Sequence, residues 1–191
     1  MRKYIELPLK LFLITFILGL LLGVTYMYTK EPIAEQRAYQ LQLSREKAYP
    51  GADFVEVPKE EWQEFVSPDG AAVKEVFIAE REGEFAGYVI NVLSKGYGGD
   101  VEIIVGVGAD MHITNVVIGS HNETAGLGAN ATKPDFTDQF RGKKKPVLSK
   151  DDAASDQAVD ALTGATITSR AVIKGIDAVI DMAQKLMEVQ G

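Results

Sequence analysis

The sequence predicts an α+β protein in which an N-terminal transmembrane helix precedes an antiparallel sheet packed on helices. An uncharged apolar run near the N-terminus predicts the membrane helix. Four short runs rich in Val, Ile, Phe and Tyr, separated by turn residues, predict the sheet, and apolar residues at helical spacing near the C-terminus predict the packed helix. A chain of 191 residues has room for one ordinary domain beside the anchor.

The composition excludes several classes of function. A net charge of -7 argues against a nucleic-acid partner, because binding a phosphate backbone needs clustered Lys and Arg. The one dense basic run, Lys143-Lys144-Lys145, is short enough to be a solvated loop. The chain has no cysteine, which excludes disulfides, thiolate metal sites and Cys-ligated iron-sulfur clusters.

The apolar run extends from Leu11 to Tyr28 and lies between Lys10 and Lys30. As a helix that rises about 1.5 Å per residue, it nearly spans a hydrocarbon core of about 30 Å. Tyr26 and Tyr28 suit the polar boundary of a bilayer. A cleaved signal peptide is the alternative, but its apolar region is usually about 7–15 residues long and ends at small residues. We therefore expect an uncleaved anchor.

Positive charges flank both ends of this run, so counting them does not set the orientation. The usual signal-anchor arrangement would leave residues 1–10 in the cytoplasm and the long C-terminal part outside. Glu31-Pro32 is expected to break the membrane helix, and Ile33 to Ala48 then reads as a second, polar-faced helix. Residues 29–50 would form a helical stalk, and residues 51–191 would form the domain.

The runs that predict strands are connected by short turns, which implies antiparallel hairpins. The predicted strands are Val73–Ala79, Phe85–Leu93, Val101–Val107 and Ile113–Ile118. The turns are Arg81-Glu82-Gly83, Lys95-Gly96-Tyr97-Gly98-Gly99 and Ala109-Asp110.

A less regular stretch from Ser120 to Asp160 contains a short predicted helix around Asp135 to Phe140. The last helix is predicted from about Ser169 to Val189 and should cover the concave side of the sheet with one apolar face. That face consists of Val172, Ile176, Val179, Ile180, Ala183, Leu186 and Met187.

Hydroxyl side chains cluster just before this last helix, in the stretch LTGATITSRAV. Thr168 or Ser169 is placed to be the N-cap, so a turn and a cap could explain the cluster. A helix N-terminus also favours a phosphate, and Gly164 and Ala165 would let one approach the backbone. The chain has no Walker loop and no G-x-G-x-x-G after a predicted strand, so a nucleotide triphosphatase is not expected.

The nine residues from Asp160 to Thr168, DALTGATIT, resemble the flavinylation motif D-x-x-[ST]-G-A-T-x-T of the FMN-binding domain family. In that family a flavin transferase takes FAD and joins its FMN half through a phosphoester to the final threonine. The resemblance implies covalent FMN on Thr168, with Asp160 serving the transferase or a local turn. By chemistry alone, Thr163 and Thr166 are rival acceptors. The implied contacts of the cofactor in this motif are Thr163, Gly164, Ala165 and Thr166.

Two further stretches resemble the same family. His121 to Gly128 is similar to its H-x-E-T-P-G-L-G segment, with Ala125 where proline is usual, and the hairpin from Lys95 to Gly99 is similar to its glycine-rich hairpin. Hydrogen bonds from the first of these stretches to the flavin are implied, although a loop that needs its glycines for turns is the alternative. The implied contacts are Glu123, Thr124, Leu127 and Gly128.

The remaining candidate residues predict no catalytic or metal site. The chain has two histidines, and His121 and His112 show no carboxylate spacing that would indicate a metal. Phe136 and Phe140 lie four residues apart, where they could pack on a flavin ring, but packing in the core is the favoured reading.

With the anchor included, the resemblance covers nearly the whole chain and best matches the G subunits of Rnf electron-transport complexes. The C subunit of the sodium-translocating NADH:quinone reductase shares the motif but is usually longer. The resemblance implies an electron carrier, not a stand-alone enzyme, in a complex that passes electrons between ferredoxin and NAD and transports sodium ions or protons. Its partners would be the other membrane and peripheral Rnf subunits and a flavin transferase.

In the family that transferase acts outside the cytoplasmic membrane, which implies a single-pass protein with an extracytoplasmic C-terminal domain. A non-redox anchored domain that binds a partner or a small phosphate ligand is the alternative from another class.

Overall fold

The computed structural model describes residues 2–63 and 70–190. The chain divides into two compact units, the first ending at Gln42 and the second beginning at Leu43. Helix α1 runs from Arg2 to Ala48 and is the one helix of the described chain that is long and apolar enough to cross a membrane. Its large apolar side chains between Leu11 and Tyr28 are 45% to 81% exposed. A surface of this kind is stable in hydrocarbon and costly in water.

The predicted break at Glu31-Pro32 is wrong, because α1 continues through Pro32. The pyrrolidine ring removes one hydrogen bond, that to the carbonyl of Tyr28. Tyr28 is highly exposed, so solvent can satisfy the released carbonyl at the end of the apolar stretch. The residues that follow Pro32 are good helix formers, and the helix therefore continues without interruption.

The sheet has five strands in the order β1-β2-β3-β4-β5, with every neighbouring pair antiparallel. The four predicted strands and their three turns are confirmed. Strand β1 was not predicted, because it is a short edge strand in which charged residues flank Phe54 and Val55. The strands are β1 (Asp53–Glu56), β2 (Ala72–Arg81), β3 (Glu84–Lys95), β4 (Asp100–Gly108) and β5 (Ile113–Ile118).

One face of the sheet packs against the last helix, α3, which runs from Thr166 to Gln190. The predicted apolar stripe of α3 is confirmed: its residues are buried, apart from the half-buried Met187, and join the core formed with β3 and β4. Gly175 brings the helix close to the sheet, since a Cβ there would lie 2.5 Å from Ile103 Cδ1. This packing fixes where the start of α3 lies relative to the β3–β4 hairpin.

The opposite face of the sheet is also buried, which the sequence pattern did not indicate. There Ala48 and Tyr49, at the end of α1, pack on Phe77, Val89 and Ile104. Because both faces are covered, β4 is buried from its second residue onward. A strand buried on both faces needs apolar side chains on both, and the neighbouring Ile103 and Ile104 supply one to each face.

Side chains of β5 hydrogen-bond the last carbonyls of α1. Thr114 Oγ1 donates to the carbonyl of Ala48 at 2.7 Å, and Asn115 Nδ2 donates to that of Lys47 at 2.9 Å. The phenol of Tyr49 donates to the carbonyl of Ala86 at 2.8 Å. The final carbonyls of a helix have no partner within it. The contact from Thr114 therefore satisfies the carbonyl of the buried Ala48, which burial would otherwise penalise, and the contact from Asn115 satisfies one at an exposed residue.

The segment between β5 and α3 contains short elements. Helix α2 (Pro134–Thr137) continues into a 3₁₀ turn from Asp138 to Phe140, near the predicted helix, and β6 (Val147–Leu148) pairs in parallel with β7 (Ala158–Val159). Phe136 and Phe140 are buried in the core, with ring centroids 5.2 Å apart and planes at 82°. Core packing is therefore confirmed for this pair. Lys144 and Lys145 are exposed, as expected of a solvated loop.

Candidate functional site

Thr166, Thr168 and Ser169 lie in the first turn of α3, so neither Thr168 nor Ser169 is the N-cap as predicted. The turn that ends at Ala165 already starts the helix: Ala165 N–H donates to the Leu162 carbonyl at 3.0 Å, and Gly164 has φ +73°. The Ser169 hydroxyl accepts from Leu162 N–H at 2.9 Å and donates to the Ala165 carbonyl at 3.0 Å. The hydroxyl of the buried Ser169 therefore stabilises the turn. The hydroxyl of Thr168 takes no part in these two hydrogen bonds.

Thr168 meets Glu123, a residue from the segment before α2. The Thr168 hydroxyl donates a hydrogen bond to Glu123 Oε2 at 2.5 Å, while the N–H of Gly98 donates to the other carboxylate oxygen, Oε1, at 2.8 Å. Thr168 is 1% exposed and Glu123 is 9% exposed. The site thus joins three stretches that resemble one family and that lie far apart along the chain.

Glycines make this meeting possible. A Cβ on Gly128 would lie 2.3 Å from Glu123 Oε2 and 2.6 Å from Thr168 Oγ1. A Cβ on Gly96 would lie 2.4 Å from Glu123 Oε1, and one on Gly98 would lie 2.1 Å from the carbonyl of Asn122. All of these distances are far shorter than van der Waals contact, so any side chain would displace the carboxylate or its loop.

A cavity of about 650 Å³ opens beside this pair. It brings together the predicted site residues, apart from Thr163 and Asp160. Sequence reasoning missed Tyr97 and Ile167 as lining residues, although both are large apolar residues inside motifs that it had singled out. The cavity is lined by Tyr97, Glu123, Thr124, Leu127, Gly128, Gly164, Ala165, Thr166, Ile167 and Thr168.

Three of these lining residues are exposed apolar side chains. Tyr97 is 72% exposed, Ile167 is 54% exposed and Leu127 is 44% exposed. The lining therefore combines apolar side chains with the polar pair of Thr168 and Glu123. This combination suits a ligand with a flat apolar part and a polar end.

Asp160 and Thr163 do not line the cavity. Asp160 is exposed; its Oδ1 accepts from the Ser149 hydroxyl at 2.8 Å, and its N–H donates to Gln139 Oε1 at 2.7 Å. These contacts tie the connection between β7 and α3 to neighbouring loops. These two hydrogen bonds support the interpretation of Asp160 as a structural residue of the local turn.

The histidines have structural contacts. His121 Nδ1 accepts the backbone N–H of Glu123 at 3.2 Å and so shapes the loop that carries the carboxylate. His112 lies just before β5, in the predicted turn, with Nδ1 2.9 Å from Asp110 Oδ2. Hydrogen bonding from the His112 backbone N–H lowers the pKa of Asp110. Within residues 2–63 and 70–190, no three His, Cys, Asp or Glu side chains are grouped to hold a metal ion.

Comparison with known proteins identifies a family whose match covers this site. The FMN-binding domain family matches residues 96–181, which include Glu123 and Thr168. The G subunit of the proton-translocating ferredoxin:NAD(+) oxidoreductase complex of Clostridium ljungdahlii is 36% identical over 87% of this chain and 84% of its own length. The chain belongs to the family of G subunits of ion-translocating oxidoreductase complexes.

A second G subunit is similar along almost its full length. It belongs to the Na(+)-translocating ferredoxin:NAD(+) oxidoreductase complex of Acetobacterium woodii and is 33% identical over 95% of this chain and 92% of its own. Among solved structures, NqrC of Shewanella oneidensis has a TM-score of 0.56 at 17% identity, covering 79% of this chain and 99% of that one. That likeness is one of fold. The family assignment rests on the G subunits.

Proposed function

We propose that this protein is a membrane-anchored electron-transfer subunit that carries FMN in phosphoester linkage to Thr168. It would work in an ion-translocating ferredoxin:NAD oxidoreductase complex, as the names of its relatives describe for them. One observation carries the proposal: the last threonine of the flavinylation motif shares a cavity with the second motif of the same family.

The residues of the cavity fit FMN. A volume of about 650 Å³ lies within the range of about 300–1,000 Å³ that is common for small-molecule sites. The backbone N–H groups in the first turn of α3 have no partner within the helix and favour the phosphate. Gly164 and Ala165 keep side-chain bulk away from that end.

FMN supplies, when bound, a ring that accepts and releases electrons. The chain's own part is to hold that ring in a fixed place. Thr168 ties it to a helix packed on the sheet, and Tyr97, Leu127 and Ile167 offer apolar contact that limits the access of water. Thr124 and Thr166 add hydroxyls to the lining. None of these roles requires acid-base chemistry on a substrate of the complex.

The proposal includes a single-pass topology in the cytoplasmic membrane. Residues 1–10 would lie in the cytoplasm, residues 11–28 would cross the membrane, residues 29–50 would form the stalk, and residues 51–191 would form an extracytoplasmic domain. This arrangement puts Thr168 on the same side as the flavin transferase that we propose as its maturation partner. The remaining partners would be the other membrane and peripheral subunits of the complex.

Intact-protein mass spectrometry tests the covalent linkage. The full chain, co-expressed with a flavin transferase, should gain the mass of FMN minus water and stay yellow after denaturation in acid. Thr168→Val should abolish the added mass, because it replaces the nucleophilic hydroxyl with a methyl group of similar shape. Thr166→Val should still gain the mass, since its hydroxyl is not the acceptor.

A wild-type chain that stays colourless and unmodified beside an active transferase would contradict the covalent assignment. Modification that persists in Thr168→Val and disappears in Thr166→Val would move the acceptor to Thr166.

A further inference from the structure

We infer that Glu123 is the general base that accepts the proton of the Thr168 hydroxyl when FMN is attached. This inference rests on the proposed function and assigns a chemical role to a residue of the acceptor protein itself. The 2.5 Å hydrogen bond joins the carboxylate directly to the oxygen that forms the new bond. A general base must lie within hydrogen-bonding distance of the proton that it takes, and Glu123 meets this condition.

The contacts around the carboxylate suit its ionised form. An ionised carboxylate only accepts hydrogen bonds, and both groups that contact Glu123 through its side chain donate, namely Gly98 N–H and the Thr168 hydroxyl. The Gly98 N–H occupies Oε1 and leaves Oε2 for the hydroxyl. Among the described residues, the ion pairs do not involve Glu123, so no cation competes for its charge.

The surroundings also hold the carboxylate in place. Gly96 and Gly128 lie against its two oxygens with no room for a Cβ, and His121 Nδ1 accepts the backbone N–H of Glu123. A base fixed in this way loses little motion when it reacts. Both Glu123 and Thr168 line the cavity, which is therefore the side from which a transferase would present FAD to the hydroxyl.

The attachment is a displacement at phosphorus in which Thr168 Oγ1 is the nucleophile and AMP is the leaving group. The Thr168 Oγ1–H bond breaks and its proton moves to Glu123 Oε2. Thr168 Oγ1 forms a bond to the phosphorus of the FMN half of FAD, and the phosphoanhydride bond breaks, so that AMP leaves. Glu123 becomes neutral in the same step, which removes its repulsion of the phosphodiester that forms beside it. No electron is gained or lost.

Steady-state kinetics of flavin incorporation tests this role. Unmodified full-length chain in detergent is mixed with a flavin transferase and FAD, and covalent flavin is followed by intact mass. Glu123→Gln should lower kcat for transfer by about 100-fold or more, with KM for the chain unchanged, because general-base catalysis contributes roughly 10²–10⁴-fold. Glu123→Asp should keep more of the rate than Glu123→Gln, since it retains a carboxylate.

Rescue by formate provides a second test, because a carboxylate added in solution would not restore the rate if Glu123 had only a structural role. Glu123→Ala should be slow, and added sodium formate should restore part of its rate by supplying a carboxylate in the vacated space. Glu84→Gln is the matched control, because Glu84 is an exposed glutamate at the start of β3, and its transfer rate should equal that of wild type.

A Glu123→Gln chain that is flavinylated as fast as wild type would overturn the inference and leave the proposed function intact. Equal losses in Glu123→Gln and Glu123→Asp, with no rescue of Glu123→Ala by formate, would also overturn it and show that Glu123 only shapes the site. A wild-type chain that is never flavinylated would overturn the inference together with the proposed function.

Discussion

Single glycines control the site at the residue scale, because the carboxylate of Glu123 reaches Thr168 only where no side chain intervenes. Gly128 lies against both partners, and Gly98 supplies the N–H that holds the carboxylate. Gly164 has a left-handed φ, whereas Gly128 does not, so Gly128 is required for space and not for conformation.

Gly128→Ala is expected to disrupt the site. The added methyl would lie 2.3 Å from Glu123 Oε2, so the loop or the carboxylate must move. We expect this variant to take up covalent flavin much more slowly and to lose about 1–3 kcal/mol of stability, as overpacked positions do. Flavin incorporation by intact mass and thermal unfolding in detergent check the two effects.

Gly23→Ala is the matched control, since a Cβ there has no atom within 4 Å. It should leave flavin incorporation at the wild-type rate and should not lower the unfolding temperature, because alanine is the better helix former. A Gly128→Ala chain that incorporates flavin at the wild-type rate would show that the close approach of these side chains is not needed for attachment.

At the element scale, the C-terminal end of the proposed stalk, which is the end of α1, packs into the core of the domain. Ala48 and Tyr49 pack on the sheet face opposite α3, and β5 hydrogen-bonds the last carbonyls of the helix. The guanidinium of Arg45 also lies over the ring of Phe77, with Cζ 4.2 Å from the ring centroid, in a cation–π contact. The second unit therefore includes this last part of α1 as a structural element.

Thr114→Val should weaken this docking. The substitution keeps the side-chain shape and removes the donor to the Ala48 carbonyl, which lies 2.7 Å away. The buried carbonyl then lacks this partner, so we expect a loss of about 1–3 kcal/mol in the free energy of unfolding. Thermal unfolding of the full chain in detergent measures the change.

Thr132→Val provides the comparison for that experiment. The Thr132 hydroxyl donates at 3.0 Å to a carbonyl three residues away in an exposed turn. Exposed substitutions of this type usually change stability by within about 0.5 kcal/mol. Equal unfolding temperatures for the two variants would contradict the role assigned to Thr114.

At the scale of the whole molecule, the exposed apolar helix indicates that the protein is anchored in a membrane. The side chains from Leu11 to Tyr28 are exposed along the helix, and the relatives are subunits of ion-translocating complexes. Membrane anchoring follows from these two findings. The proposed side of the membrane depends in addition on where the transferase meets Thr168.

Cysteine labelling tests the proposed topology, since the chain has no native cysteine. Glu84→Cys should react in intact cells with a maleimide that does not cross the inner membrane, because β3 belongs to the proposed extracytoplasmic domain. Glu6→Cys should react only after the cells are lysed. The opposite pattern would invert the orientation and separate Thr168 from a transferase on the outer face.

The sequence alone determined the parts that depend on local pattern. The four longer strands, their turns, the apolar stripe of α3 and the membrane helix follow from hydrophobic periodicity and turn residues. The motif residues followed from a nine-residue resemblance, which the family comparison supports. Local rules overstated the effect of Pro32, because one lost hydrogen bond at an exposed position does not end a long helix.

Only the tertiary structure decided which residues meet. The contact of Glu123 with Thr168 joins side chains 45 residues apart, and the cavity adds Tyr97 from a hairpin that is more distant still. Helix periodicity could not give these distances, because they depend on how α3 packs across β3 and β4. The covering of the second sheet face by Ala48 and Tyr49 is tertiary for the same reason: burial there comes from another element of the fold.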